Sequence, residues 1–125
     1  MDARHWHKLT AIAELETRAT VQRVPTELRA MARGVPVLFE PWAADELLTP
    51  DLEPDILGLF VGDPYNVTDA TQPMPPQIFL FLESIWDAAG GDEAAFRDEV
   101  RLTYLHELGH YLGLDEGELE ARGLE

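Results

Sequence analysis

The 125-residue chain contains no cysteine. This absence excludes disulfide bonds, a thiol nucleophile and thiolate metal ligands, so only histidine and carboxylate side chains are left to bind a metal ion. It is also consistent with a reducing compartment. The first residues lack the apolar core of a signal peptide, and no apolar run reaches the length of a membrane span. We therefore expect a cytoplasmic protein that does not enter a membrane.

Basic residues are scarce. Nine Lys+Arg accompany 24 Asp+Glu, and the formal net charge is −15. A surface of this charge repels polyanions, so nucleic acid is not an expected partner. With 46% hydrophobic residues the chain is globular rather than disordered. Its length suits a single domain that spans residues 1–125.

The pattern of apolar residues, prolines and glycines predicts an α+β fold. Residues 2–23 form a predicted amphipathic helix that covers a sheet face, and residues 26–32 form a second, short helix. A third short helix or turn is expected at residues 84–89, and residues 65–76 form an expected long irregular loop. Three strands are predicted, at residues 35–40, 56–61 and 77–82, the last of them apolar on both faces. The expected architecture is a small mixed sheet of three or four strands, packed with helices.

A long helix near the C-terminus carries the residues that can perform chemistry. Asp92 is its expected N-cap, and Gly113 is expected to end it in a left-handed conformation. His106 and His110 lie four residues apart, so a helix places both imidazoles on one face, where they can hold one metal ion. Glu107 then stands beside the metal, where it can act as a base on a bound water. Dense apolar residues around this motif predict a buried helix.

A catalytic zinc site has three protein ligands and keeps its fourth position for water. The turn at Gly113 would let the chain reverse, so that Glu116 returns to the metal as the third ligand. Asp115 is the neighbouring alternative. Two histidines and one carboxylate are the ligand set of a catalytic zinc site rather than of a closed structural one.

With these features in place, the chain resembles the zincin-like metallopeptidases, in particular a short bacterial family of minimal zincin-like proteins. The resemblance includes the motif at residues 106–110 and the acidic stretch that follows Gly113. It extends to three further segments, at residues 24–28, 57–60 and 76–80. In that family the position three residues after the glycine is commonly acidic, so the resemblance also implies that Glu116 is the third ligand.

The resemblance implies a minimal zincin-like fold with Zn²⁺ as its metal. The implied activity is hydrolysis of peptide bonds in a peptide or protein substrate, with Glu107 as the general base. A peptide could add to an exposed sheet edge as an extra strand, for which residues 77–82 or 35–40 are candidates.

The chain departs from two larger zincin groups. The long metzincin signature has histidine or aspartate where this chain has Glu116, and it requires a methionine turn downstream. All three methionines lie upstream of the motif. In gluzincins the third ligand comes from a later helix, and the corresponding candidates here are Glu118, Glu120 and Glu125.

Two other functions are compatible with the motif. A zincin scaffold can bind metal and serve as a partner-binding module without catalysis. A bacterial endoribonuclease family that matures ribosomal RNA has similar spacing, and this chain matches it at His106, His110, Gly113 and Asp115. Glu107 and Glu116, however, stand where that family has glycine and histidine, and the chain is strongly acidic. The peptidase interpretation therefore ranks first.

Overall fold

A computed structural model describes residues 2–44, 55–62, 75–114 and 117–118. Within these ranges the helices and strands follow the predicted order, and the α+β class is confirmed. None of the described helices is long and apolar enough to span a bilayer. The elements are α1 (Ala3–Arg23), α2 (Thr26–Arg33), β1 (Val37–Glu40), β2 (Gly58–Val61), β3 (Gln77–Phe81), α3 (Leu82–Ala88) and α4 (Glu93–Leu112). Most of the predicted loop at residues 65–76 lies outside the described residues.

The sheet is mixed and has the order β1-β3-β2. β1 runs parallel to β3, and β2 runs antiparallel to it. β3 is central and four of its five residues are buried, which confirms the strand predicted to be apolar on both faces. Because β3 is paired along both sides, residues 77–82 cannot form an exposed edge, and that candidate for peptide addition is wrong. The described edges of the sheet are β1 and β2.

Capping residues at both ends of α4 determine where the helix begins and ends. The Asp92 carboxylate accepts a hydrogen bond from the Ala95 amide at 2.8 Å, a cap of the kind that contributes about 1 kcal/mol. At the other end Gly113 has a φ of 73°, which glycine adopts without strain. The Leu114 amide donates to the carbonyl of Gly109 at 2.8 Å, and the Gly113 amide donates to that of His110 at 3.2 Å. This pair of bonds forms a Schellman motif, which ends the helix and reverses the chain.

α4 lies between the sheet and α1. It packs against β2 and β3 on one side and against α1 on another. α1 also contacts α2 and α3. Because α1 packs mainly on helices and not on the sheet, the expectation that it covers a sheet face is wrong. The reason is that α4 is apolar on more than one face, and a helix of that kind needs a second covering layer. Buried residues of α1 and α4 share one core, among them Leu9, Ile12, Ala13, Phe96, Val100 and Leu108.

Ion pairs join α1 to the first turns of α4. The Glu93 carboxylate lies 3.1 Å from Lys8 Nζ and 3.0 Å from Arg97 Nη2. Arg97 also approaches Glu16 of α1, with 3.7 Å between Nη1 and Oε1. The hydrogen bond from Lys8, followed by that from Arg97, lowers the pKa of Glu93 from its ordinary value of 4.5.

We expect Lys8→Ala to raise the pKa of Glu93 towards 4.5, because Lys8 is the largest cause of the lowered value. A lowered pKa means that the folded state binds the proton less tightly than the unfolded state does. The stabilisation is therefore complete above about pH 4.5, and it is lost as the pH falls through the lowered value. An NMR titration of the Glu93 side chain measures the change. Arg18→Ala is the control, since Arg18 pairs with Glu14 on the same helix. An unchanged pKa in Lys8→Ala would contradict this account.

Candidate metal centre

His106 and His110 lie on one exposed face of α4, one helical turn apart, and they are called the histidine pair below. Their ring centroids are 4.8 Å apart and the ring planes meet at 85°. The two Nε2 atoms approach to 3.3 Å. The buried helix predicted from the apolar pattern is therefore only partly right, because the histidine pair faces solvent and the buried member of the motif is Glu107.

The spacing of the histidine pair fits a tetrahedral metal ion. Zinc bonds to histidine nitrogen at about 2.0–2.1 Å, and the tetrahedral angle then places two ligand nitrogens about 3.3–3.4 Å apart. The observed Nε2 separation of 3.3 Å agrees with that value. Without a metal, one neutral ring can donate its N–H to the other over the same distance. The separation of the two Nε2 atoms is thus compatible with the binding of one metal ion by both rings.

Glu107 is buried beside the histidine pair, with a relative exposure of 8%. One of its carboxylate oxygens and the two imidazole nitrogens all lie within 4.8 Å of one another. Burial raises the pKa of Glu107, while His110, His106 and a hydrogen bond from the backbone of Phe60 act in the opposite direction. A carboxylate with a raised pKa accepts a proton more readily than an exposed one, which suits a general base.

The edge strand β2 supplies the backbone group that contacts Glu107. The carbonyl of Leu57 accepts a hydrogen bond from the amide of Phe81 in β3 at 2.9 Å. Successive residues of an antiparallel strand direct their backbone groups to alternate sides. Gly58 and Phe60 therefore direct theirs away from β3, to the side of β2 on which no described strand pairs. The amide of Phe60 meets the carboxylate of Glu107 on this free edge.

Gly58 allows β2 and α4 to approach each other closely. A Cβ atom at this position would lie 2.7 Å from Cγ2 of Thr103 and 3.3 Å from Cγ of Glu107. It would also lie 3.1 Å from the carbonyl oxygen of Phe79. The sequence predicts that Gly58 lies in a strand, but it does not assign Gly58 to the site. The available signal was an isolated glycine inside an apolar strand, a position where another backbone or element often comes close.

A cleft of about 350 Å³ lies between β2 and α4. It brings the histidine pair and Glu107 together with the edge strand, so that backbone groups of β2 border the candidate metal position. Its lining residues are Gly58, Leu59, Phe60, His106, Glu107 and His110.

The predicted third ligand comes after the end of α4 in the sequence. The Schellman motif at Gly113 turns the chain back immediately after the histidine pair, as the sequence predicted. Glu116 and the alternative Asp115 lie outside the described residues, so the assignment of Glu116 stays a prediction. Among the gluzincin-type alternatives, Glu118 is exposed, and Glu120 and Glu125 lie outside the described residues.

Comparisons with known proteins agree with this geometry. A search among curated proteins finds none that matches the chain. A family model described as zincin-like metallopeptidase matches residues 32–124. The matched segment is most of the chain and contains the whole described sheet, α3, α4 and the three residues of the candidate centre. The chain therefore belongs to the zincin-like metallopeptidase family.

Proposed function

We propose that the protein is a zinc-dependent peptidase in which His106, His110 and Glu116 hold the metal and Glu107 is the general base. The observation that carries the proposal is the 3.3 Å separation of the two Nε2 atoms beside a buried carboxylate. Two imidazoles and a carboxylate form a donor set that suits zinc. When bound, zinc would lower the pKa of a water molecule and polarise the carbonyl of the substrate.

Residues of the chain bind the metal and transfer the proton. His106 and His110 bind as neutral imidazoles, because a protonated ring has no lone pair to offer. Glu107 takes the proton of the attacking water and passes it to the departing amine. A carboxylate oxygen of Glu107 lies within 4.8 Å of both imidazole nitrogens, so proton transfer needs little side-chain movement.

We propose that the substrate lies along the free edge of β2. The backbone groups of Gly58 and the carbonyl of Phe60 face that edge, and an extended peptide can pair with such groups as an added strand. Of the two edges expected from the sequence, residues 77–82 are central. Residues 35–40 include β1, which forms the opposite edge of the sheet and does not line the cleft. A peptide on β2 would run directly past the histidine pair.

The cleft favours peptide hydrolysis over the two alternative functions. The residues that line it within the described part of the chain include no lysine or arginine, whereas an endoribonuclease has to bind a phosphate backbone. A module that only binds metal has no need of Glu107 in a buried position. Burying a carboxylate costs free energy, and it is commonly found where the shifted pKa serves a reaction.

We expect Glu107→Gln to abolish metal-dependent cleavage of casein while zinc stays bound. Glutamine keeps the size of the side chain but cannot take a proton from water, and general-base catalysis contributes about 10²–10⁴-fold. Cleavage rates are measured together with zinc content. Glu99→Gln is the matched control, because it makes the same change on the same helix outside the cleft.

Three results would contradict the proposal. Casein cleavage by Glu107→Gln at the wild-type rate would remove Glu107 from the mechanism. RNA cleavage that survives this substitution would support the endoribonuclease. A wild-type protein that holds zinc and cleaves neither casein nor a library of short peptides would support the binding module.

We expect Gly58→Ala to lower kcat by about tenfold or more, because the added Cβ displaces Thr103 and the base Glu107. The same crowding is expected to reduce the free energy of unfolding by about 1–3 kcal/mol. Adding Thr103→Ser removes the methyl group at 2.7 Å, so the double variant should regain stability. It should regain less of kcat, because the contact with Glu107 remains. Wild-type kcat in Gly58→Ala would show that this close approach does not position the base.

A further inference from the structure

A second concave surface lies on another side of α4, and it is called the groove below. It has a volume of about 390 Å³ and is formed by α1, α2, β1 and α4, together with Val35 just before β1. It shares no lining residue with the cleft at the histidine pair. Tyr104 lines the groove and lies two residues before His106, a spacing that directs two side chains to nearly opposite sides of a helix. The groove is therefore a separate feature from the candidate metal centre.

One wall of the groove is apolar. Val21 comes from α1, Ala32 from α2 and Val37 from β1, and Val35 lies between the last two elements. Ligand sites in proteins are concave, mostly apolar and about 300–1,000 Å³ in volume, with a few polar groups that orient the ligand. At about 30 Å³ for each water-sized group, the groove has room for roughly a dozen non-hydrogen atoms. This is the size of a small organic molecule.

Tyr104 supplies a polar group to this mainly apolar surface. The residue is 1% exposed, and its hydroxyl forms no hydrogen bond with any other residue in the described ranges. A tyrosine hydroxyl can donate a hydrogen bond as well as accept one. A ligand in the groove that carries an acceptor atom can take this hydrogen bond.

Arginines lie beside the apolar wall. Arg18 and Arg33 line the groove, and Arg33 has no ion-pair partner among the described residues. Arg18 is paired with Glu14 through contacts of 2.8 Å between exposed side chains. Residues 17–39 contain four arginines and one glutamate, in a chain whose formal charge is −15. The described lining residues of the groove include two arginines and no aspartate or glutamate, and this favours an anionic ligand there.

We propose that the groove binds a small amphipathic carboxylic acid. The apolar body packs on the valine wall, the carboxylate is bound by Arg18 and Arg33, and the hydroxyl of Tyr104 is a further donor. Arginine is suited to this role because its planar guanidinium group can bind a carboxylate through two hydrogen bonds. A groove of about 390 Å³ can hold a free acid of this size. Stable docking of a protein partner needs about 800 Å² of surface on each side, so a small acid is the better fit.

The test uses octanoate as the probe and the full chain as the protein. Isothermal titration is expected to show saturable binding at one site, and NMR is expected to show shifts at Val35, Val37 and Tyr104. Octylamine has the same apolar chain with the opposite charge, and it should not bind. Arg33→Gln should weaken octanoate binding by about tenfold, because it removes a charge-assisted hydrogen bond.

Two further variants separate the site from general attraction. Arg23→Gln makes the same charge change in the same segment, but Arg23 does not line the groove, so affinity should stay as in the wild type. Ala19→Phe should block binding by filling the groove without a change in charge. Circular dichroism checks that each variant folds. If Ala19→Phe does not fold, the octanoate affinities of Arg33→Gln and Arg23→Gln are compared instead. Arg33 is exposed, so its substitution is expected to leave the fold intact.

Several results would overturn the proposal. One is the absence of saturable octanoate binding to the wild-type protein. Another is octylamine binding as tightly as octanoate, which would show that the charge of the ligand is not recognised. A third is equal weakening by Arg23→Gln and Arg33→Gln, which would show that octanoate responds to overall charge rather than to the groove.

Discussion

The close approach of β2 to α4 at Gly58 is the contact on which the candidate site depends. With no side chain at this position, the edge strand comes near enough for the Phe60 backbone to hydrogen-bond to Glu107. That bond offsets part of the cost of burying a carboxylate. The histidine pair is left facing solvent, where a metal ion and a substrate can reach it. The same contact therefore positions the proposed base and leaves the proposed ligands accessible.

α4 connects this site to the rest of the fold. The sheet covers one of its faces and α1 covers another, so the exposed face that bears the histidine pair is supported from two directions. The groove and the cleft at the histidine pair lie on different sides of this helix, and none of their described lining residues is shared. Ligand binding in the groove is consequently expected to leave the metal ligands in place. The proposals for the two surfaces stand on separate observations.

The sequence predicted most of the structural features that depend on neighbouring residues. The cap at Asp92, the left-handed turn at Gly113 and the placement of two histidines on one helix face depend on neighbouring residues, and all three are present in the structure. The order of strands in the sheet is nonlocal, so the edge beside the site was not identified.

The functional role of Gly58 depends on contacts with residues far along the chain, Thr103 and Glu107. No local pattern reports such contacts. The apolar residues of α4 also could not show which of its faces is open, since the apolar residue Leu102 is 41% exposed. The most direct test of the account is elemental analysis of the purified protein and of His110→Ala, with His7→Ala as a control at an exposed histidine on α1. The account predicts stoichiometric zinc in the wild type and in His7→Ala, and its loss in His110→Ala. Equal zinc content in His110→Ala and the wild type would contradict it.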